Sequence, residues 1–216
     1  MALLAPSILS ADFADLGNDI RKTAEAGADW IHIDVMDGLF VPSISFGMPV
    51  IKSIRKTTEK PFDVHLMIDE PIRYIKEFKE AGADILTVHA EACSDTKATL
   101  DKIKKAGMRP ALSIKPKTPV SEIEEYLPMI DMLLVMSVEP GFGGQKLIPE
   151  TVDKVRELRS IIDTKGLDVL IEIDGGINLE NVQDIVAAGT DVIVAGSAVF
   201  GDDVTGKTEA FIRLIK

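Results

Sequence analysis

Short apolar segments rich in β-branched residues alternate along the chain with longer amphipathic segments. Eight of the apolar segments predict strands, namely Leu3–Leu9, Trp30–Val35, Phe62–Met67, Ile85–His89, Pro110–Ile114, Met132–Val138, Val169–Asp174 and Val192–Ala195. The segments between them predict helices, among them Asp12–Ala26, Pro71–Ala81, Asp95–Ala106, Pro149–Asp163 and Leu179–Ala188. Asp12 and Asp95 suit helix N-caps, and Pro71 and Pro149 suit a first helical turn.

A weak repeat supports this order of elements. Four helical segments end in Ala-Gly, and a new apolar run follows the glycines at positions 27, 82, 107 and 189. Their separations are 55, 25 and 82 residues, close to two, one and three times 27, and a chain of 216 residues holds eight such units. Glycine fits a helix C-terminus because it adopts a positive φ without strain.

Strands that alternate with helices predict a parallel sheet, and eight such units predict a closed barrel. We therefore expect residues 1–216 to form a single (β/α)8 TIM barrel that is the catalytic domain. This chain is shorter than the ~250 residues that are typical of the fold. An open doubly wound sheet is the alternative. That fold usually has a Gly-x-Gly-x-x-Gly turn after its first strand, whereas the segment Pro6–Ser10 contains no glycine.

Composition narrows the function classes. The net charge of −11 argues against nucleic acid as a partner, because a phosphate backbone requires a basic surface. Cys93 is the only cysteine, which excludes an internal disulfide and fits a reducing, cytoplasmic location. Asp191 interrupts the apolar run at 185–200, so no membrane span is expected, and no basic stretch precedes the first apolar residues as it would in a signal peptide.

Candidate chemistry lies at the strand ends, where the active sites of β/α barrels are found. Side-chain alternation predicts that His32 and Asp34 on the second strand, His65 on the third and Asp174 on the seventh point into the barrel. Nitrogen and oxygen donors without a thiolate suit zinc, iron(II), manganese or cobalt. A hydrogen-bonded polar core is the alternative interpretation. For His89, at the end of the fourth strand, we expect a structural role or a role in supporting a ligand.

Two further groups of residues surround these positions. Glycine-rich segments follow strands six, seven and eight at Gly141–Gly144, Gly175–Gly176 and Gly196–Ser197. Backbone amides in such loops can bind a phosphate group, often at the seventh and eighth strands of a barrel. Strands two, three and six end in a methionine, at Met36, Met67 and Met136, which predicts either core packing or an apolar lid over the metal site.

Five segments together resemble the ribulose-phosphate 3-epimerase family, in that family's order and over nearly the whole chain. They are Ala5–Phe13, His32–Pro42, Asp63–Met67, Met136–Gln145 and Asp174–Ile177. Two positions depart from the family pattern, Ser43 in place of an expected asparagine and Leu147 in place of an expected phenylalanine. Neither replaces a proposed ligand, so they affect loop packing and substrate affinity rather than the reaction.

The resemblance implies a barrel enzyme of the pentose phosphate pathway that interconverts D-ribulose 5-phosphate and D-xylulose 5-phosphate. It also implies a homo-oligomer in which each subunit holds one divalent metal ion through His32, Asp34, His65 and Asp174. The residues that match the family's substrate and phosphate contacts are Ser7, His65, Gly141, Phe142, Gly143, Gly144, Asp174, Gly175, Gly176, Gly196 and Ser197.

Epimerisation beside a ketone requires a proton to leave one face of the substrate and return on the other. The second and seventh strands are three steps apart around an eight-stranded ring, so Asp34 and Asp174 can act from opposite faces through a cis-enediolate. Three alternatives remain: an epimerase for allulose 6-phosphate, a keto-sugar-phosphate decarboxylase or aldolase with Lys115 as its lysine, and a phosphate-binding protein without catalysis.

Overall fold

The apolar segments pair side by side into one closed parallel sheet in the computed structural model, which describes residues 1–216. The strands are β1 (Leu3–Pro6), β2 (Ile31–Met36), β3 (Phe62–Met67), β4 (Ile85–His89), β5 (Arg109–Ile114), β6 (Met132–Met136), β7 (Leu170–Asp174) and β8 (Val192–Ala195). Each strand pairs with the next in sequence from β2 to β8, and β1 pairs with β8. A parallel bridge between Ser7 and His32 joins β1 to β2, so the predicted (β/α)8 TIM barrel is confirmed and the open sheet is wrong.

Seven α-helices surround the barrel, namely α1 (Leu16–Glu25), α2 (Met48–Ile54), α3 (Ile75–Ala81), α4 (Thr96–Lys105), α5 (Glu150–Lys165), α6 (Val182–Ala187) and α7 (Val204–Ile215). Short 3₁₀ helices occur at Ile8–Ser10, Arg55–Thr57, Pro71–Arg73, Ala90–Ala92, Val120–Glu122 and Glu124–Met129. The last two replace an α-helix between β5 and β6, where Pro128 removes a backbone donor. None of the α-helices combines the length and the apolar character that crossing a bilayer requires.

Most of the predicted helix ends are confirmed. The four Ala-Gly glycines follow α1, α3, α4 and α6, and all of them have positive φ, from 76° to 109°. The Asp95 side chain accepts a 2.9 Å hydrogen bond from the amide of Ala98 and caps α4. The N-cap predicted at Asp12 is wrong, because this carboxylate accepts from the amide of Ala14 in a turn and α1 begins only at Leu16.

The first strand is shorter than predicted because the chain turns into a 3₁₀ helix at Ile8. The Ser7 side chain accepts a 3.4 Å hydrogen bond from the amide of Leu9 and so caps this helix. The turn places Ser7 at the end of β1, directly beside β2. The strand boundary therefore positions a residue of the predicted site.

Alternation along the strands divides the core into two regions. The outward faces of the strands, such as Ile31 and Ile33, pack against the helices in one large hydrophobic cluster. Inside the barrel a second apolar group, including Trp30, Ile85 and Met132, fills the end where the strands begin. A buried aliphatic or aromatic side chain contributes about 1.5–3 kcal/mol of transfer free energy, so these regions stabilise a scaffold that holds polar side chains at the other end.

Candidate metal and substrate site

Four of the predicted site residues converge at the end of the barrel where the strands finish. His32, Asp34, His65 and Asp174 each offer one donor atom, and these atoms lie within 4.8 Å of one another. Asp34 Oδ1 is 3.3 Å from His32 Nε2 and 2.9 Å from His65 Nδ1. The structure therefore brings the predicted metal set together around the end of β2.

The donor set fits a divalent cation. His32 Nε2 is fully buried and has no hydrogen-bond partner, although it lies close to a carboxylate. Burial lowers the pKa of His32, but the negative charges of Asp34 and Asp63 outweigh this and hold the pKa well above its ordinary value. The centre of the cluster thus favours a positive charge, which a proton on His32 or a metal ion that displaces it can supply.

The two carboxylates of the cluster differ in proton affinity. For Asp34, burial would raise the pKa, but the positive charge of His32 outweighs this and lowers it below the ordinary range. For Asp174, burial and the nearby charge of Asp34 raise the pKa to about 6. At neutral pH one carboxylate is therefore firmly ionised, while the other gains a proton more easily.

A second buried acidic group supports His32 from below. Asp63 Oδ2 lies 2.6 Å from His32 Nδ1, which leaves Nε2 as the nitrogen that faces Asp34. Glu172 is also fully buried near this ring, and neither of its carboxyl oxygens has a hydrogen-bond partner. Burial and the charge of Asp63 raise the pKa of Glu172 well above its usual range, which favours the neutral form of this carboxyl group. The alternation that points His65 and Asp174 into the barrel also points Asp63 and Glu172 inward, but it does not specify their distance from His32.

His89 supports the other histidine, as the sequence suggested. Its Nε2 lies 2.9 Å from His65 Nε2, and its Nδ1 lies 3.3 Å from Glu91 Oε2. Burial lowers the pKa of His89 to about 4. Burial would raise the pKa of Glu91, but hydrogen bonds from His89, Thr118 and Lys115 lower it to about 2. No motif pointed to Glu91.

An open cavity of about 320 Å³ lies above this cluster of candidate metal ligands. Asp34 and Asp174 line its floor, whereas His32 and His65 are buried beneath and do not line it. The direct substrate contact predicted for His65 therefore has no support from the cavity. All the other predicted substrate residues line it, namely Ser7, Gly141, Phe142, Gly143, Gly144, Asp174, Gly175, Gly176, Gly196 and Ser197.

Two glycines of the cavity wall leave little space for a side chain. Gly176 has a φ of +68°, and a Cβ there would lie 2.3 Å from the backbone nitrogen of Leu147. At Gly196 a Cβ would lie 2.7 Å from Ser10 Oγ, on the side that faces the cavity. Ser10 and Asn178 also line this wall and were not predicted, although Ser10 belongs to a segment that resembles the family.

Met36, Met67 and Met136 line the cavity beside the two carboxylates. Each is almost fully buried, so their thioethers form an apolar wall next to the polar floor. Lys115 does not line the cavity, and its Nζ lies 4.0 Å from the centre of the Phe40 ring. The decarboxylase or aldolase alternative therefore loses the lysine on which it depended.

Comparison with known proteins agrees with this geometry. Residues 3–200 match the model described as the ribulose-phosphate 3 epimerase family. A ribulose-phosphate 3-epimerase from Bacillus subtilis (strain 168) is 50% identical over 214 residues, which is 99% of this chain and 99% of the relative. The Escherichia coli (strain K12) protein of that name is 48% identical over 199 residues, which is 92% of this chain and 88% of the relative.

Solved structures extend the likeness at the level of the fold. A mutant tryptophan synthase α-subunit from the hyperthermophile Pyrococcus furiosus superposes with a TM-score of 0.72 at 15% identity, and the match covers 99% of this chain and 96% of that one. At this identity the likeness concerns the barrel alone. The family match, by contrast, spans β1 to β8 and includes every one of the candidate metal ligands.

Proposed function

This chain belongs to the ribulose-phosphate 3-epimerase family, and from that premise we propose that it interconverts D-ribulose 5-phosphate and D-xylulose 5-phosphate by moving the proton on carbon 3. One observation carries the proposal. Asp34 and Asp174 come from strands three steps apart in the barrel and meet at the floor of one cavity. Two carboxylates in this position can reach a substrate carbon from two sides.

The acid–base roles follow from the environments of the two carboxylates. The ionised Asp34 is suited to accept the carbon 3 proton, while Asp174, with its pKa raised to about 6, can donate a proton to the opposite face. In the reverse direction the roles exchange, and a cis-enediolate lies between the two half-reactions. A positioned acid or base contributes about 10²–10⁴-fold each.

We assign the divalent cation to His32, Asp34, His65 and Asp174, whose nitrogen and oxygen donors suit zinc, iron(II), manganese or cobalt. When bound, the cation supplies electrostatic stabilisation for the negative charge that develops on the substrate oxygens. In this assignment neither histidine acts as an acid or a base toward the substrate, because both lie beneath the cavity floor. The methionine wall excludes water from the carboxylates and so strengthens their interactions with the substrate.

The phosphate group of the substrate belongs at the glycine-rich side of the cavity, near Gly176, Gly196 and Ser197. No lysine or arginine lines the cavity, so backbone amides are the available donors. Binding a phosphate remote from the reacting carbon fixes the sugar in its reactive pose. We extend the proposal to a homo-oligomeric enzyme of the pentose phosphate pathway in the cytoplasm, with a phosphosugar as its partner.

A coupled assay tests the function directly. Purified protein should convert D-ribulose 5-phosphate to D-xylulose 5-phosphate, and prolonged treatment with a chelator should remove the activity slowly, since four protein ligands hold the cation. Re-addition of Zn²⁺, Fe²⁺, Mn²⁺ or Co²⁺ separately should restore it and rank the metals. Full turnover by protein that is free of metal by elemental analysis would refute the metal assignment, and no conversion under any metal would refute the epimerase.

A further inference from the structure

His65 is held between two polar side chains through its two ring nitrogens. Nδ1 lies 2.9 Å from Asp34 Oδ1, on the side of the metal cluster, and Nε2 lies 2.9 Å from Nε2 of His89. Both rings are fully buried on the neighbouring strands β3 and β4, so water cannot complete their hydrogen bonds. Each ring nitrogen must therefore find its hydrogen-bond partner within the protein, and this requirement determines which nitrogens carry a hydrogen.

Glu91 determines where those hydrogens lie. Its carboxylate, 3.3 Å from His89 Nδ1, can only accept a hydrogen bond, so Nδ1 of His89 carries the hydrogen. In a neutral ring this leaves a lone pair on His89 Nε2, and His65 Nε2 must donate to it. The same reasoning leaves a lone pair on His65 Nδ1, directed at Asp34.

A lone pair and a carboxylate oxygen that face each other at 2.9 Å repel unless a cation lies beside both. The opposite arrangement, with a hydrogen on His65 Nδ1, would need His89 to donate from both nitrogens. That would place an imidazolium in a fully buried position, which desolvation disfavours. The hydrogen-bond geometry thus favours a metal ion as the partner of His65 Nδ1.

The Glu91 carboxylate is itself fixed in place. Its Oε1 accepts a 2.8 Å hydrogen bond from the amide of Lys115, just after β5, and a further bond from the Thr118 hydroxyl. The Phe40 ring lies 4.9 Å from the His89 ring, centre to centre. The contacts run from the loop after β5 through Glu91 and His89 to His65, and each member has a defined donor or acceptor.

We propose that Glu91 and His89 are positioning residues that fix the tautomer of His65, so that His65 offers Nδ1 to the divalent cation. This inference rests on the metal site proposed above. His32 has the opposite arrangement, since Asp63 occupies its Nδ1 and leaves Nε2 for the cation. The two histidines therefore bind the cation through different ring nitrogens. In each ring, a buried hydrogen bond to one nitrogen leaves the other nitrogen for the cation, which is a common role of residues that support metal ligands.

Nuclear magnetic resonance of the unaltered protein tests the tautomer. Protein labelled at its histidine nitrogens and loaded with Zn²⁺ should show, in long-range proton–nitrogen correlations, a hydrogen on Nε2 of His65 and Zn²⁺ on Nδ1. His32 should show the reverse. A hydrogen on Nδ1 of His65 would overturn the proposal. A complete lack of Zn²⁺ binding would instead overturn the metal site and, with it, this role.

Three variants test the role in metal binding by Zn²⁺ competition against a chromophoric chelator. His89→Leu removes the acceptor for His65 and should weaken Zn²⁺ binding about 10–100-fold, whereas His89→Gln keeps an acceptor oxygen and should restore most of the affinity. Ser113→Ala is the matched control, because Ser113 is buried opposite His89 on β5 and has no hydrogen-bond partner.

Thermal melts should establish that each variant is folded before its affinity is compared. Equal Zn²⁺ affinity in His89→Leu and the unaltered protein would overturn the proposal, and so would an equal loss in His89→Leu and His89→Gln. If His89→Leu does not fold, the resonance measurement on the unaltered protein still decides the tautomer.

Discussion

The Ser7 hydroxyl donates a 2.6 Å hydrogen bond to Oδ2 of Asp34, the oxygen that does not face His65. One oxygen of the proposed base is thus directed at the histidines, and the other is held by a serine at the cavity wall. The serine comes from the end of β1 and the aspartate from β2, so the seam that closes the barrel also positions the carboxylate.

Ser7→Ala should lower kcat about 10–100-fold, because a hydrogen bond to a charged group is worth about 1.5–3 kcal/mol. Steady-state kinetics on D-ribulose 5-phosphate would measure the loss. Ser10→Ala is the comparison, since Ser10 lines the same cavity but has no hydrogen bond to either carboxylate. An equal fall in kcat in both variants would mean that the Ser7–Asp34 bond has no special role.

Asp34→Asn and Asp174→Asn should each lower kcat by more than the ~10²–10⁴-fold expected for one acid or base, because each residue also serves the metal. The amide has nearly the volume of the carboxylate, so circular dichroism should report an unchanged fold. Asp168→Asn, at an exposed position before β7, is the matched control and should retain full activity. If either site variant kept above roughly a tenth of kcat, a mechanism with a single base would replace the present one.

Much of this site follows from the amino-acid sequence, because alternation in a β-strand is strict. On β2 the hydrophobic Ile31 and Ile33 pack outward against the helices. The alternate residues His32 and Asp34 must therefore face the inside of the barrel. The contact between His65 and His89 does not follow in this way. In the register of β3 and β4, His65 lies opposite Thr87, and His89 reaches it only diagonally from two residues further along. That contact depends on strand stagger and ring rotation, which no local pattern specifies.

Local signals did not locate the start of the first helix. Asp12 and Asp15 both precede it, and α1 begins directly after Asp15, whose side chain makes no capping hydrogen bond. Glu91 carried no signal, because its partners Lys115 and Thr118 lie on a different loop. The sequence therefore predicts which residues face the site, while the contacts that orient them arise from tertiary packing.

Gly196→Ala should raise KM for the phosphosugar about tenfold or more. A Cβ there would crowd the wall where the phosphate is proposed to bind and would disturb a hydrogen bond from a backbone amide to the charged phosphate. The backbone at Gly196 is not in the left-handed region, so the fold tolerates alanine. Gly47→Ala, where a new Cβ meets nothing within 4 Å, is the control. Free ribulose without its phosphate should be a poor substrate for the unaltered enzyme, and Gly196→Ala should not change kcat/KM for this sugar. A comparable loss of kcat/KM on both sugars would argue against phosphate binding at this wall.

Cys93 should react slowly with an alkylating reagent in the folded protein. Burial raises the pKa of its thiol from 9.0 to about 11, so at about pH 8 the thiolate fraction, and with it the rate, should be about 100-fold below that of the urea-unfolded chain. Because the folded pKa is the higher one, this group's contribution to stability is present below about pH 9 and is lost as the pH rises through 11. Equal alkylation rates in folded and unfolded protein would contradict the raised pKa of this half-buried thiol.

The pairing of Asp34 and Asp174 across the cavity makes a prediction about the fate of one hydrogen. In deuterium oxide, D-xylulose 5-phosphate formed from D-ribulose 5-phosphate should carry deuterium at carbon 3 from the first turnover. The reason is that the carboxylate that removes the proton on one face is not the group that delivers a proton to the other, and the donor has equilibrated with solvent. Carbon 4 should keep its original hydrogen, because neither carboxylate is assigned to it.

Mass spectra and proton spectra of product collected at low conversion would measure the label at each carbon. A phosphate-binding protein without catalysis would give no exchange, and a decarboxylase would require a different substrate and release carbon dioxide. A mechanism that removes and returns hydride would retain the original hydrogen. Early product without deuterium at carbon 3 would therefore rule out two separate carboxylates even if the epimerase activity itself were present, because the same hydrogen would then have been returned either as hydride or by a single group shielded from solvent.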